Sequence, residues 1–312
     1  MAIQLFVKNM KQLCIDQAAF AERLLEGLNE IDWPESTKEM QRNWIGRSTG
    51  VEVQFEIVGG GKFSIFTTCI ETIYGITFMV LAPDGDLVQE LMPRIKNQDE
   101  VKAYIQETVS KSEMDRTELN KGKSGCRLEG IKAINPVNGR EVEVFIGDFV
   151  LANYGTGAVM AVPSHDQRDF EYAIAHHIDM IQVIEGQDVS EHAFEKQDYL
   201  GKGCKLINSE EFTGLTVEEA KVAITKKLVD MGIAKETVNY RFREWIFARQ
   251  RYWGEPVPIV HLEDGTDYVL PDEELPLILP ELEDYKGHNG KAPLENATDW
   301  KQYNQNWCKG SS

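Results

Sequence analysis

From Val51 onward the apolar residues fall at every second position. Val51, Val53, Phe55 and Ile57 alternate with polar neighbours, and Lys62 to Thr68 return after Gly59-Gly60-Gly61. Period two puts all four apolar side chains on one face of a strand, and consecutive glycines allow the positive φ that a tight reversal needs. The chain must therefore build a sheet with a buried face, beginning with an antiparallel hairpin. Thr67-Thr68 ends the returning strand, Cys69-Ile-Glu-Thr-Ile-Tyr-Gly75 forms the next connection, and Ile76 to Ala82 is expected to be a buried strand. Asn138-Gly139, between Ile131–Val137 and Glu141–Ile146, predicts a second hairpin.

The stretch from Tyr154 to Phe170, Tyr-Gly-Thr-Gly-Ala-Val-Met-Ala-Val-Pro-Ser-His-Asp-Gln-Arg-Asp-Phe, combines a glycine turn, an apolar run and a polar cluster. Ala158 to Val162 reads as a strand. Pro163-Ser164 breaks it, and Phe170, Ala173 and Ile174 have helical spacing from Asp166 to His177. A helix start offers unpaired N–H groups, and Asp166 and Asp169 can face a cation, with Thr156, His165 and Arg168 as further donors. The same residues also suit a plain cap, with Ser164 or Asp166 closing the helix and Asp169 favouring its dipole. Local pattern leaves both readings open.

Elsewhere the spacing predicts an amphipathic helix within residues 10–30, a polar helix from Glu35 running into a glycine-rich exit at Gly50, and a domain boundary near Gly46. Two surface helices and a loop are expected between Asp86 and Lys123, a short strand and turn over Asp179–Gly186, and irregular chain over Glu191–Lys202. Thr216-Val-Glu-Glu219 is a capping box ahead of a helix from Val217 to about Met231, closed by Gly232.

With 33 basic and 51 acidic residues the net charge is −18, which disfavours a non-specific nucleic-acid binder and requires any such partner to be held locally. Cys14, Cys69, Cys126, Cys204 and Cys308 are odd in number and without a C-x-x-C pair, so neither a disulfide framework nor a zinc site is expected. No apolar run is long enough for a membrane helix and no signal peptide opens the chain; a cytoplasmic protein is expected. The clearly basic segment is Tyr240 to Gly254, where Arg241, Arg243, Arg249 and Arg251 alternate with aromatics. Arginines suit phosphates and aromatics suit bases, as at a single-stranded end; an aromatic core element with its arginines paired to acids fits equally.

These pieces carry a resemblance over nearly the whole chain. Trp33-Pro34, Met40 to Ser48, Phe66-Thr-Thr68 through Thr72 and Gly75, Ala133 to Pro136, Asp148 to Leu151, Tyr154 to Phe170, Val238 to Arg241 and Arg249 to Gly254 resemble, in this order, the editing (connective-peptide) domain of bacterial-type leucyl-tRNA synthetase with its flanking linkers. The resemblance implies a mixed α/β fold with a mostly antiparallel, barrel-like sheet and peripheral helices, as in class I synthetase editing domains. It implies an N-terminal helical flank of the synthetase core over 1–45, the editing domain over 46–235, and a return linker with a partial core segment over 236–312.

The activity so implied is hydrolysis of isoleucyl- or norvalyl-tRNA(Leu), with the tRNA 3′ end as partner and no cofactor or metal. A leucine pocket rejects a substrate differing by a methylene or methyl by only about 1–3 kcal/mol, so a second, hydrolytic site is required. By resemblance Asp169 holds the substrate α-ammonium, Thr67 and Thr68 position ester and water, Tyr154 and Met160 line the pocket, and Thr72 gates the side chain. His165 and Asp166 belong to the substrate site, His165 in a structural or binding role rather than as general base. Arg241, Arg243, Arg249 and Arg251 hold tRNA, with Arg42 and Arg47 as further candidates.

The family's Thr-Thr-Arg-Pro-Asp-Thr reads here Thr67-Thr-Cys-Ile-Glu-Thr72. This departure keeps open a non-hydrolytic tRNA-binding relative. A nucleotide-binding protein using Tyr154-Gly-Thr-Gly157 is a further alternative, without the Gly-x-x-x-x-Gly-Lys-Ser/Thr that would support it. The chain lacks His-x-Gly-His and Lys-Met-Ser-Lys-Ser, so residues 1–312 alone are not expected to charge tRNA, whether as part of a synthetase or as a free-standing relative.

Overall fold

The computed structural model describes residues 13–111, 116, 124–152, 155–242, 244–247, 252, 257–286 and 292–302. The chain divides into two compact units. One comprises Asp32–Arg241; the other is made of the described residues of Asn9–Ile31 and Phe242–Ser312.

The first unit is a mixed α/β structure. In chain order it contains α1 (Glu35–Ile45), β1 (Arg47–Ile57), β2 (Lys62–Thr67), β3 (Phe78–Leu81), α2 (Asp86–Leu91), α3 (Gln98–Val109), β4 (Gly125–Ile134), β5 (Glu141–Gly147), β6 (Ala158–Ala161), α4 (Gln167–His176), α5 (Val217–Asp230) and β7 (Ala234–Tyr240). The sheet order is β2-β1-β4-β5-β3-β6, with β7 also on β1. Strands β3 and β5 run parallel and every other pair is antiparallel.

The hairpin of β1 and β2 forms as the alternation requires, with Val53 opposite Ile65 and Phe55 opposite Phe63. The second hairpin joins β4 to β5 through Asn138-Gly139, with Ile134 opposite Glu141. In β3 the unbroken run Phe78-Met79-Val80-Leu81 is explained by two buried faces. Met79 and Leu81 join the larger core with Val53, Phe55 and Ile65 and with Ile224 and Leu228 of α5. Phe78 and Val80 join a smaller cluster with Phe145 and, from α4, Tyr172 and Ala173.

Three expectations need correction. The sheet is open rather than barrel-like: edge strands β2 and β6 approach within 8 Å at Cα, but no ladder joins them. Closure requires paired edges around the whole circuit, and β7 instead takes up the edge of β1 beside a two-residue contact with β4. The helix from Glu35 stops at Ile45, where Gly46 takes φ +62° and donates its N–H to the Arg42 carbonyl at 2.8 Å. Residues Arg47–Val53 are strand because β7 pairs with them from far down the chain. Among the described residues of 10–30 the helix is shorter than expected, Ala21–Gly27 after a 3₁₀ turn at Ala18–Phe20.

The capping box at α5 forms as its sequence requires: the Thr216 hydroxyl accepts the Glu219 N–H at 3.3 Å, and the Glu219 carboxylate accepts the Thr216 N–H at 3.0 Å. In the second unit, Cys14–Ile15 pairs antiparallel with Trp245–Ile246, and Ile259–His261 with Asp267–Val269. Among the described residues no helix is long and apolar enough to cross a membrane.

Candidate active site

Two segments that bear the candidate residues leave the sheet near its edges: Thr67–Thr72 follows β2, and Val162–Asp169 follows β6. Gly50 shapes the first of them. A Cβ at this position would lie 2.3 Å from the Thr67 carbonyl oxygen and 2.7 Å from the Phe66 ring, so glycine permits the end of β2 to lean over β1. The Thr67 hydroxyl then accepts the Cys69 N–H at 3.0 Å. The chain turns into a 3₁₀ segment, Ile70–Gly75, whose residues are all buried. Thr72 is 1% exposed, and both its N–H (3.1 Å) and its hydroxyl (2.8 Å) donate to the Cys69 carbonyl.

In the second segment Asp166 caps α4. Its Oδ1 accepts the N–H groups of Arg168 at 2.9 Å and Asp169 at 3.1 Å, and its Oδ2 lies 3.4 Å from the Arg168 guanidinium. Asp169, in the first turn and 9% exposed, folds back so that Oδ2 accepts the Val162 N–H at 2.9 Å. Its carboxylate is thus held where β6 ends and α4 begins. Met160 lies on β6 opposite Met79 and is half-buried. Thr156 donates to the Ala158 carbonyl at 3.2 Å. Tyr154 lies outside the described residues.

His165 is 5% exposed with both ring nitrogens committed. Nε2 accepts the Val183 N–H at 3.0 Å, so Nδ1 carries the proton and donates to the Phe194 carbonyl, also at 3.0 Å. Burial pushes its pKa down from 6.5 to about 4, and the bond to Phe194 opposes this. The folded value lies below the unfolded one, so the unfolded chain takes up the proton first. The stabilisation is therefore complete above pH 6.5 and is lost toward pH 4, about 3 kcal/mol in all. Between pH 7 and pH 5 wild type is expected to lose about 2 kcal/mol more than His165→Asn. Urea denaturation at the two pH values measures this; equal losses would show that His165 titrates normally.

The two segments are brought together by residues 193–199, within a stretch whose sequence pattern reads as irregular. The Phe194 N–H donates to the Ser164 carbonyl at 2.9 Å, and its own carbonyl takes the His165 proton. Lys196–Tyr199 forms one helical turn. Tyr199 stands edge-on to His165 with 6.0 Å between ring centroids, and its hydroxyl donates to Glu71 Oε1 at 3.1 Å. Glu71 is fully buried, and desolvation raises its pKa against the opposing pull of its own backbone, Lys221 and Lys196. Burial, then Glu71, keep the Tyr199 phenol protonated. Lys196 Nζ lies 3.5 Å from the Thr68 hydroxyl, and Lys221 Nζ donates to the Thr68 carbonyl at 2.9 Å. The sequence motifs include Glu71 but not Gly50, Lys196, Tyr199 or Lys221, because only the fold makes these neighbours of the Thr67–Thr72 segment.

A separate cleft of about 440 Å³ is lined by Thr77, Glu100, Arg127, Arg140, Glu143 and His176 among others and contains none of the candidate residues. Of the basic segment, Arg241 is exposed and its N–H donates to the Gly46 carbonyl at 3.1 Å. Arg243, Arg249 and Arg251 lie outside the described residues. Arg42 pairs with Glu35 at 2.5 Å and Glu39 at 3.4 Å, and Arg47 reaches the Thr49 hydroxyl at 2.8 Å. Among the described residues no group of three His, Cys, Asp or Glu side chains is placed to hold a metal ion.

Residues 42–229 match the model of the family described as leucyl-tRNA synthetase, editing domain. A similar solved structure is the ternary complex of Agrobacterium radiobacter K84 agnB2 LeuRS, tRNA and LeuAMS, at 29% identity and a TM-score of 0.76. The match covers 96% of this chain and 34% of that one, so the chain spans about a third of the length of the synthetase it resembles. The matched residues include both segments described above, and the chain belongs to the leucyl-tRNA synthetase editing-domain family.

Proposed function

We propose that the chain hydrolyses aminoacyl esters of tRNA(Leu) mischarged with isoleucine or norvaline, as the proofreading part of a leucyl-tRNA synthetase. The observation that carries this reading is the joining of Thr67–Thr72 to Ser164–Asp169 through residues 193–199, inside the region matched by the family model. Editing lies in residues 46–235, with 1–45 and 236–312 as flanks of the synthetase core. The tRNA in the similar complex supports tRNA as partner, and in this reading its 3′ end enters the site.

In this reading Asp169 pairs with the substrate α-ammonium, while the Thr67 and Thr68 hydroxyls orient the ester and a water. Tyr154 and Met160 line the amino-acid pocket, and Thr72 limits its depth. No nucleophilic side chain is required, because the ester is already activated and the adjacent ribose hydroxyl can assist a positioned water. His165 bonds to the backbone at Phe194 and Val183, and Asp166 bonds to the start of α4 and to the Arg168 guanidinium, so they serve the substrate by fixing the position of Asp169. Arg241, Arg243, Arg249 and Arg251 hold the tRNA.

The departure at Cys69-Ile70-Glu71 favours a second reading, a relative that binds the tRNA end without hydrolysing the ester. Mixing the purified chain with isoleucyl-tRNA(Leu) separates the two. Release of free isoleucine is expected; binding with the ester intact would establish the second reading, and neither outcome would remove both.

A further inference from the structure

Between Phe63 and Pro93 the chain carries no lysine or arginine, so Thr67–Thr72 has no cation of its own, and Cys69 stands where the family motif has arginine. Positive charge arrives instead from two elements remote in sequence. Lys196 opens the helical turn Lys196–Tyr199 and Lys221 projects from α5, and both ammonium groups meet at Thr68, one on its hydroxyl and one on its carbonyl. Neither forms a direct ion pair among the described residues; the carboxylate on which both act is the buried Glu71, whose Oε1 accepts from Tyr199. Both side chains, like Thr68, are half-buried. An ammonium has three donors, and the bond to Thr68 uses one on each.

Two ammonium groups with donors to spare, beside the threonines assigned to the ester, suit a phosphate. The terminal adenosine of a tRNA carries the amino acid on its ribose and joins the preceding nucleotide through a phosphodiester one ribose away. We infer that Lys196 and Lys221 form a phosphate clamp for that linkage, supplying from outside the threonine segment the charge that Cys69 does not. The inference rests on the editing reading for its substrate, and it assigns the lysines to binding rather than to the chemical step.

The test uses Lys196→Met and Lys221→Met, which keep the apolar stem and remove the charge. Two substrates are compared: isoleucyl-tRNA(Leu) and isoleucyl-adenosine, which has no phosphate. Each variant is expected to lower kcat/KM for the tRNA ester by about tenfold relative to that for the adenosine ester, chiefly through KM. The slope of log affinity for uncharged tRNA against log salt should flatten by about 0.7 for each single-strand phosphate that is no longer neutralised, with Lys→Arg at either position retaining most of it. Equal slowing of both esters with an unchanged salt slope would mean that the lysines merely hold the Thr68 loop, and would overturn the clamp. If wild type hydrolyses neither ester, the editing reading fails, while the salt slope still decides for or against the lysine pair.

Discussion

Asp169→Ala is expected to lower single-turnover hydrolysis of isoleucyl-tRNA(Leu) by about 100- to 1000-fold. The carboxylate is 9% exposed, so an ammonium bound to it is largely withdrawn from water. Removing one member of such a pair typically costs about 3–5 kcal/mol, because the remaining charge stays buried without a partner. The same substitution also strips the Val162 N–H of its acceptor at 2.9 Å, worth about 1–3 kcal/mol of stability. Asp169→Asn separates the two effects: its side-chain oxygen can still accept from Val162 but carries no charge. The asparagine variant is expected to melt near wild type and to fail in deacylation. Wild-type deacylation by Asp169→Asn would show that another group holds the ammonium.

Thr72→Ala is expected to hydrolyse correctly charged leucyl-tRNA(Leu) about 10- to 100-fold faster than wild type while keeping its activity on isoleucyl-tRNA. The side chain is stiff at χ1, and its hydroxyl is tied to the Cys69 carbonyl at 2.8 Å, so its methyl group is a fixed feature of the site rather than a mobile one. Leucine branches at Cγ, isoleucine at Cβ, and norvaline not at all. One methyl in a fixed position can therefore obstruct leucine alone, and such overlap costs about 1–3 kcal/mol. Thr72→Val keeps the branch and loses only the hydroxyl, so it should still spare leucyl-tRNA; Thr72→Tyr should block both substrates. Continued sparing of leucyl-tRNA by the alanine variant would move the gate to Cys69-Ile70-Glu71.

Local pattern was enough wherever the interaction is itself local. Period two over Val51–Ile57 and the three glycines after it determined a hairpin, because alternate side chains must share a face whatever the rest of the chain does. Thr216 with Glu219, and Asp166 ahead of α4, marked helix starts, because a cap bonds to N–H groups two or three residues away. The motif pieces from Phe66 to Thr72 and from Tyr154 to Phe170 carried the family. Tertiary structure decided what lies between distant residues. Arg47–Gly50 became strand against a helix-like pattern because β7 pairs with it, and whether the sheet closes depends on its two edges, which no local spacing encodes. Glu71 stands in the Thr67–Thr72 motif, but its spacing says nothing of burial. It is buried because Ile70 and Ile73 on either side of it enter the core, and Tyr199, 128 residues away, supplies its hydrogen bond. Lys196 and Lys221 lie 128 and 153 residues from Thr68, in a stretch and on a helix whose own patterns do not point to it. Their meeting follows from how α5 and the turn at Lys196–Tyr199 pack, and packing at that range is a property of the assembled fold.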